Sequence, residues 1–220
     1  MLIIFDLDGT LIDSSKDLAI SVNATRQQFG MSPLDELLVH SYVGNGAAVL
    51  VRKAMGPDAS DELVEQALSF FLKYYRAHAL EYTRLYDGIR EAVDQLLSAG
   101  HQLAVLTNKP FKISVDIIAA LGLKDHFFRV YGGDSFEAKK PNPMGIFKLM
   151  EEAGQPAPET LMVGDSAVDI LTARNAGVRG VGVLWGFQPE TFELHPPDLL
   201  VREPIELTTV IEGVRQLSRS

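Results

Sequence analysis

The chain has no cysteine, so disulfides, thiolate metal sites and cysteine nucleophiles are all excluded. Positive charge is in short supply: 20 lysines and arginines stand against 29 aspartates and glutamates, for a net charge of -9. Phosphate-backbone binding needs a clustered basic surface, so nucleic acid is not expected as a partner. Long apolar runs are missing too. None approaches the ~20 residues needed to cross a bilayer. The apolar start is interrupted at Asp6 and no basic segment precedes it, so neither a membrane span nor a signal peptide is read, and a cytoplasmic location is the expectation. Asn23-Ala24-Thr25 fits a glycosylation acceptor, but without a secretory signal the match carries nothing. What the chain does have is 46% hydrophobic residues in a length of 220, enough core for one large domain or a domain with a sizeable insert.

The stretch on which the rest is organised is Asp6-Leu7-Asp8-Gly9-Thr10, directly after the apolar run Leu2-Ile3-Ile4-Phe5. Four consecutive apolar residues read as a short strand buried on both faces. Two carboxylates at the mouth of such a strand must face water or meet cations, because unpaired burial is costly. A pair of this kind can hold a divalent metal, attack phosphorus, or both. Gly9 lets the backbone fold closely around a small ligand.

Between about Ser15 and Leu80 the pattern is helical. A helix capped by Ser14 or Ser15 runs to about Phe29, another ends at Met55, and a third starts after Ser60 with apolar residues at Val64, Ala67, Leu68, Phe71, Tyr74 and Tyr75. After Gly88 short apolar strands alternate with helices that end at Gly100, Gly122, Gly154 and Gly177. The strands are Leu103 to Leu106, Phe128 to Tyr131, Leu161 to Val163 and Val181 to Leu184; the helices run from about Ile89, to Leu121, from about Pro143 and from about Ala167. This alternation predicts an α/β fold, a Rossmann-like parallel sheet with helices on both faces. The early helices interrupt it after its first strand, so residues 14–83 are read as an inserted all-helical cap and residues 1–13 with 84–220 as the core.

Ligands of an open parallel sheet bind outside the carboxyl ends of its strands. Three polar clusters follow strand-like runs: Asp6 to Thr10, Thr107-Asn108-Lys109, and Gly164-Asp165-Ser166 with Asp169. Lys140, in the connection after Tyr131, can reach the same edge. Asp6, Asp8, Asp165 and Asp169 bring four negative charges and Lys140 offsets one, so a divalent cation completes the site. All-oxygen ligation favours Mg²⁺.

Taken in order, Asp6-Leu7-Asp8-Gly9-Thr10, Thr107-Asn108, Lys140-Pro141 and Gly164-Asp165-Ser166-Ala167-Val168-Asp169 resemble the haloacid dehalogenase-like phosphohydrolases, in particular the phosphoglycolate phosphatase-like branch with a helical cap. The resemblance covers nearly the whole chain. It implies that Asp6 attacks phosphorus and becomes an aspartyl phosphate. Asp8 would act as acid and then base, and Thr107 and Lys140 would bind the phosphoryl oxygens. Mg²⁺ would be held by Asp6, the carbonyl of Asp8 and Asp165, with Asp169 orienting the metal's waters or Lys140. Members that dehalogenate lack an aspartate at the position of Asp8, so phosphorus chemistry is expected. The implied substrate is a small phosphorylated metabolite, most favourably 2-phosphoglycolate, handled by a monomer or homodimer. Sugar phosphomutase, which in this family usually carries a bulkier aliphatic residue at the position of Thr10, and pyrophosphatase share the scaffold. A phosphoacceptor module or a non-catalytic interaction protein are the readings from other classes.

Plainer readings stand beside these. Asp165 and Asp169 can cap a helix, Thr107 can simply end its strand, and Lys139 and Lys109 are read as solvated. Trp185 and Phe187 are read as packing a loop. His40, His78, His101, His126 and His195 lie in no motif. Val43-Gly44-Asn45-Gly46 resembles the cap loop that closes on the leaving group, with Gly44 and Asn45 as substrate contacts, and is equally well a turn chosen for its dihedrals. Arg52, on the helix that follows, is the candidate for a substrate carboxylate.

Overall fold

The computed structural model describes residues 1–217. Six strands form one sheet in which every pairing is parallel. In chain order they are β1 (Leu2–Phe5), β4 (Gln102–Leu106), β5 (Arg129–Tyr131), β6 (Thr160–Gly164), β7 (Arg179–Val183) and β8 (Leu199–Val201). Spatially the order is β5-β4-β1-β6-β7-β8, so β1 lies between β4 and β6. The α/β class expected from the alternation is therefore present. Each core strand sends alternate residues to opposite faces, as the pleat requires. Ile3, Phe5, Leu103, Val105, Leu161 and Val163 belong to one apolar cluster, and Leu2, Ile4, Ala104, Leu106 and Met162 to the other.

Helices cover both clusters. α7 (Met144–Ala153) and α8 (Ala167–Ala176) pack on the second. α5 (Ile89–Ser98), α6 (Phe111–Ala120) and α9 (Leu207–Leu217) lie on the first. Four helices precede them: α1 (Ser15–Gln28), α2 (Glu36–His40), α3 (Ala47–Met55) and α4 (Asp61–His78). They enter and leave through a two-residue antiparallel pair, β2 (Ile12–Asp13) with β3 (Arg84–Leu85). The first apolar cluster runs without a break from the sheet through Leu7, Leu11 and Ile12 into Val22, Leu50 and Phe71 of this helical segment.

Four details depart from the sequence reading. Ser14 occupies the N-cap position of α1, but its side chain makes no cap bond; its hydroxyl donates to Asp8 Oδ1 at 2.5 Å instead. Asp13 takes over locally, accepting from the Ser15 amide at 3.1 Å and hydroxyl at 2.6 Å. Ser60 does cap α4, accepting from the Leu63 amide at 3.2 Å. Phe128 and Leu184 fall outside β5 and β7. β2, β3, β8 and α9 had no counterpart in the pattern: the first two are too short to show a period, and the last two follow the final glycine-terminated helix.

Candidate active site

The register explains why three distant stretches meet. Phe5 is level with Val105 on one side and Val163 on the other. Asp6, Thr107 and Asp165, each just beyond these levels, therefore emerge on one edge. The Asp6 amide continues the ladder to Val163 O at 2.9 Å, and its Oδ1 accepts from the Leu7 amide at 2.7 Å. Gly9 adopts φ 76, and a β-carbon there would overlap the Asp165 carboxylate, so only glycine lets the two loops touch.

Lys140 Nζ bridges the carboxylates, 2.9 Å from Asp6 Oδ1 and 2.6 Å from Asp169 Oδ1. Asp169 Oδ2 accepts from the Ser166 hydroxyl at 2.8 Å and amide at 3.2 Å. The helix-capping reading of Asp169 and its link to Lys140 thus hold at once. Asp165 Oδ2 accepts from the Phe187 amide at 2.7 Å. Burial pushes the Asp6 carboxyl up to about 6, against the pull of Lys140 and with the repulsion of Asp169 added. Burial, with Asp169 and Asp6 as like charges, holds Asp165 well above the usual carboxylate range. Burial opposes the charge on Lys140, but Asp169 and Asp6 outweigh it and raise its pKa.

Asp6, Asp165 and Asp169 each offer an oxygen within 4.8 Å of the others, and all three residues are buried. Three buried carboxylates facing one lysine are short of positive charge. Among the described residues no hydrogen bond reaches Asp6 Oδ2 or Asp165 Oδ1. Free, hard oxygen donors in a charge-deficient pocket fit Mg²⁺. The Asp8 carboxylate is not part of this cluster, which agrees with an expectation that gave the metal its backbone carbonyl and not its side chain. It turns the other way, to Ser14 and to Lys109 Nζ at 2.7 and 3.0 Å.

Lys109 does correct an expectation. It is 5% exposed, not solvated, and its Nζ also donates to Tyr75 Oη of α4 at 2.5 Å. Burial opposes its charge, but Asp8 and Tyr75 overcome that and raise its pKa. Burial pushes the Tyr75 hydroxyl up to about 12, so it stays protonated near neutrality. Lys139, by contrast, is exposed as expected.

Asp6, Asp8 and Thr107 line one end of a cavity of about 40 Å³, roofed by the helical segment. Thr107 is 3% exposed, with its Oγ1 accepting from the Lys109 amide at 3.3 Å. Asn108 reaches the cavity wall, but its side-chain amide is fully engaged. Oδ1 accepts from the Lys140 amide at 3.0 Å, and Nδ2 donates to Lys140 O at 3.1 Å and Gly44 O at 2.9 Å. Its side chain thus fixes Lys140 and ties the Gly44 loop to the core, leaving no free donor for a substrate. Gly44 and Gly46 line the cavity, at φ 104 and 88. Asn45 between them is exposed and outside it. Arg52 is also outside: its guanidinium donates to Ala59 O at 3.0 Å and pairs with Asp61. The carboxylate role expected for it is withdrawn on that geometry.

Trp185 and Phe187 do pack a loop, yet that loop touches the site. Trp185 Nε1 donates to Thr10 O at 3.0 Å, and the ring of Phe187 stacks on His40 of α2 at 5.8 Å. Gln188 Nε2 donates to Val43 O at 2.9 Å and Ser41 O at 3.3 Å. Lys109, Tyr75, Ser14 and Gln188 were missed by sequence reasoning. Only Lys109 carried a signal, its place directly after Thr107-Asn108 at a strand's carboxyl end.

Comparison with known proteins agrees with this geometry. The family model described as haloacid dehalogenase-like hydrolase matches residues 3–183. A protein of Vibrio vulnificus (strain CMCP6) named phosphoglycolate phosphatase is 40% identical over 217 residues, covering 96% of this chain and 95% of its own. One of the same name from Neisseria gonorrhoeae is 41% identical over 187 residues, 83% of this chain and 79% of its own. The crystal structure of a predicted phosphoglycolate phosphatase from Haemophilus somnus 129pt superposes with a TM-score of 0.89 at 32% identity, over 95% of this chain and 96% of that one. No helix among the described residues is long and apolar enough to cross a membrane. By this match, by relatives of this similarity over nearly its full length, and by its sheet and site, the protein belongs to the haloacid dehalogenase-like hydrolases.

Proposed function

We propose that the protein is a Mg²⁺-dependent phosphatase of a small phosphomonoester, favouring 2-phosphoglycolate, and that it works through an aspartyl phosphate on Asp6. The observation that carries this reading is the division of labour between two aspartates two residues apart. Asp6 is held by Lys140 among carboxylates, while Asp8 is held by Lys109 and Ser14 at the roofed cavity. One carboxylate is thereby set to attack and the other to handle protons. The names of the relatives at about 40% identity favour 2-phosphoglycolate over other esters.

An Asp6 oxygen forms a bond to phosphorus as the ester P–O bond breaks, and the departing oxygen takes the proton carried by Asp8. Asp8, now a carboxylate, takes a proton from water. The water oxygen then bonds to phosphorus, the bond to Asp6 breaks, and inorganic phosphate leaves. Thr107 and Lys140 bind the phosphoryl oxygens. Asp6 and Asp165 would hold the metal, and Asp169 keeps Lys140 in place. When bound, Mg²⁺ supplies positive charge that stabilises the charge shared over the phosphoryl oxygens. Residues 14–83 serve as a cap that opens for exchange and closes to exclude water, with β2 and β3 as the hinge.

The test is phosphate release from a panel of small phosphoesters, including 2-phosphoglycolate and hexose phosphates, with and without Mg²⁺. Turnover of 2-phosphoglycolate that needs Mg²⁺ and is lost in Asp6→Asn and Asp8→Asn is the expected result. Conversion of hexose 1-phosphate to hexose 6-phosphate with no phosphate released would replace hydrolysis by mutase chemistry.

A further inference from the structure

Beyond the phosphoryl end, the cavity is walled by Leu18, Leu50, Phe71 and Leu72. A polyhydroxylated leaving group would leave hydroxyls unpaired against these side chains, at a cost for each. One cation lines this space among the described residues, Lys109. The other basic candidates are committed elsewhere: Lys140 lies between Asp6 and Asp169, and Arg52 on Ala59 and Asp61. Lys109 Nζ sits 2.7 Å from the Asp8 oxygen expected to serve the leaving group, and 2.5 Å from Tyr75 Oη. An anionic group two bonds from the leaving oxygen would fall beside both.

We propose that Lys109 and the Tyr75 hydroxyl form the subsite for the leaving group's carboxylate, which makes the protein selective for short 2-phosphooxy carboxylates. This rests on the proposed phosphatase reading and names the side chains that confer its specificity. Tyr75 belongs to the helical segment and Lys109 to the core, so the subsite is complete only when the two are together. The ammonium keeps its bond to Asp8 Oδ1 and turns the donor now on Asp8 Oδ2 to the carboxylate, while Tyr75, still accepting from Lys109, donates its own proton to it.

Two substrates separate this role from simple support of Asp8: 2-phosphoglycolate, and ethyl phosphate, which has the same carbon count and no carboxylate. KM and kcat are measured for both with the wild type, Lys109→Gln, Lys109→Arg and Tyr75→Phe, beside Lys139→Gln as an exposed control. The preference for 2-phosphoglycolate should fall roughly 10–100-fold in Lys109→Gln and several-fold in Tyr75→Phe, through KM, as for loss of a hydrogen bond to a charged group. Lys109→Arg should recover part of it. Equal losses on both substrates would overturn the proposal and leave Lys109 as a holder of Asp8 alone. Calorimetric binding of glycolate to the same variants reads the contact without turnover. If the wild type hydrolysed neither ester yet bound glycolate, and Lys109→Gln did not bind it, the phosphatase reading would fail and the subsite would stand. Glycolate binding unchanged in Lys109→Gln and Tyr75→Phe would remove the subsite.

Discussion

Lys140 and Asp169 form an ion pair almost shut off from water, with Nζ 2.6 Å from Oδ1 and side chains 1% and 0% exposed. Breaking a buried pair leaves an uncompensated charge, and typically costs about 3–5 kcal/mol. Asp6 remains as a second partner for Lys140, so Asp169→Ala should destabilise the metal-free protein by about 3 kcal/mol. Urea unfolding in chelator checks this. A loss below about 1 kcal/mol would mean that the pair contributes no more than a surface one.

Arg52 makes the opposite case. Its partner Asp61 is 96% exposed, and pairs of that kind contribute about 0–1 kcal/mol. Arg52→Ala should leave KM for 2-phosphoglycolate unchanged and lower the unfolding midpoint only slightly. A large rise in KM would show that the cap turns Arg52 inward during turnover.

Gln188 joins the loop after β7 to the carbonyls of Ser41 and Val43, and its neighbour Phe187 donates to Asp165. The helical segment and the Asp165 carboxylate are therefore tied to one short stretch of chain. Gln188→Ala removes roughly one net neutral hydrogen bond from the closed form, so KM should rise about 3–10-fold. Steady-state kinetics would show it, and an unaltered KM would detach this loop from closure.

His101 sets a pH dependence away from the site. Its ring is buried, with Nε2 2.6 Å from Glu212 Oε1. Burial lowers its pKa below the ordinary 6.5, although Glu212 pulls the other way. The folded protein therefore favours the neutral ring, and this contribution is complete above pH 6.5 and lost as pH falls through the lower folded value. Glu212 is lowered chiefly by its hydrogen bond from His101, so its contribution is also lost on acidification. Unfolding midpoints should fall below about pH 6.5, and more gently in His101→Gln. An identical slope in both proteins would rule out His101 as the source.

How far the molecule could be read from its sequence depended on how local each signal was. β1 was legible because four buried apolar residues in a row leave few alternatives, and Asp6, Thr107 and Asp165 because each follows such a run. Parallel pairing then brings them to one edge. Lys109 looked solvated because its partners lie elsewhere in the chain, Asp8 at 101 positions and Tyr75 at 34. Arg52 looked available because nothing local shows that Ala59 and Asp61 will engage it. The pairing of β2 with β3 at the ends of the helical segment was hidden by its two-residue length.

The central claim is that Asp6 carries the phosphoryl group. Enzyme mixed with 2-phosphoglycolate and Mg²⁺ can be quenched in acid within a single turnover, digested, and read by mass spectrometry, with Asp8→Asn included to slow hydrolysis of the acyl phosphate. The account predicts one added phosphoryl group on the peptide containing Asp6, absent from Asp6→Asn. Phosphate release with no labelled peptide in any variant would contradict it and point to direct attack by water.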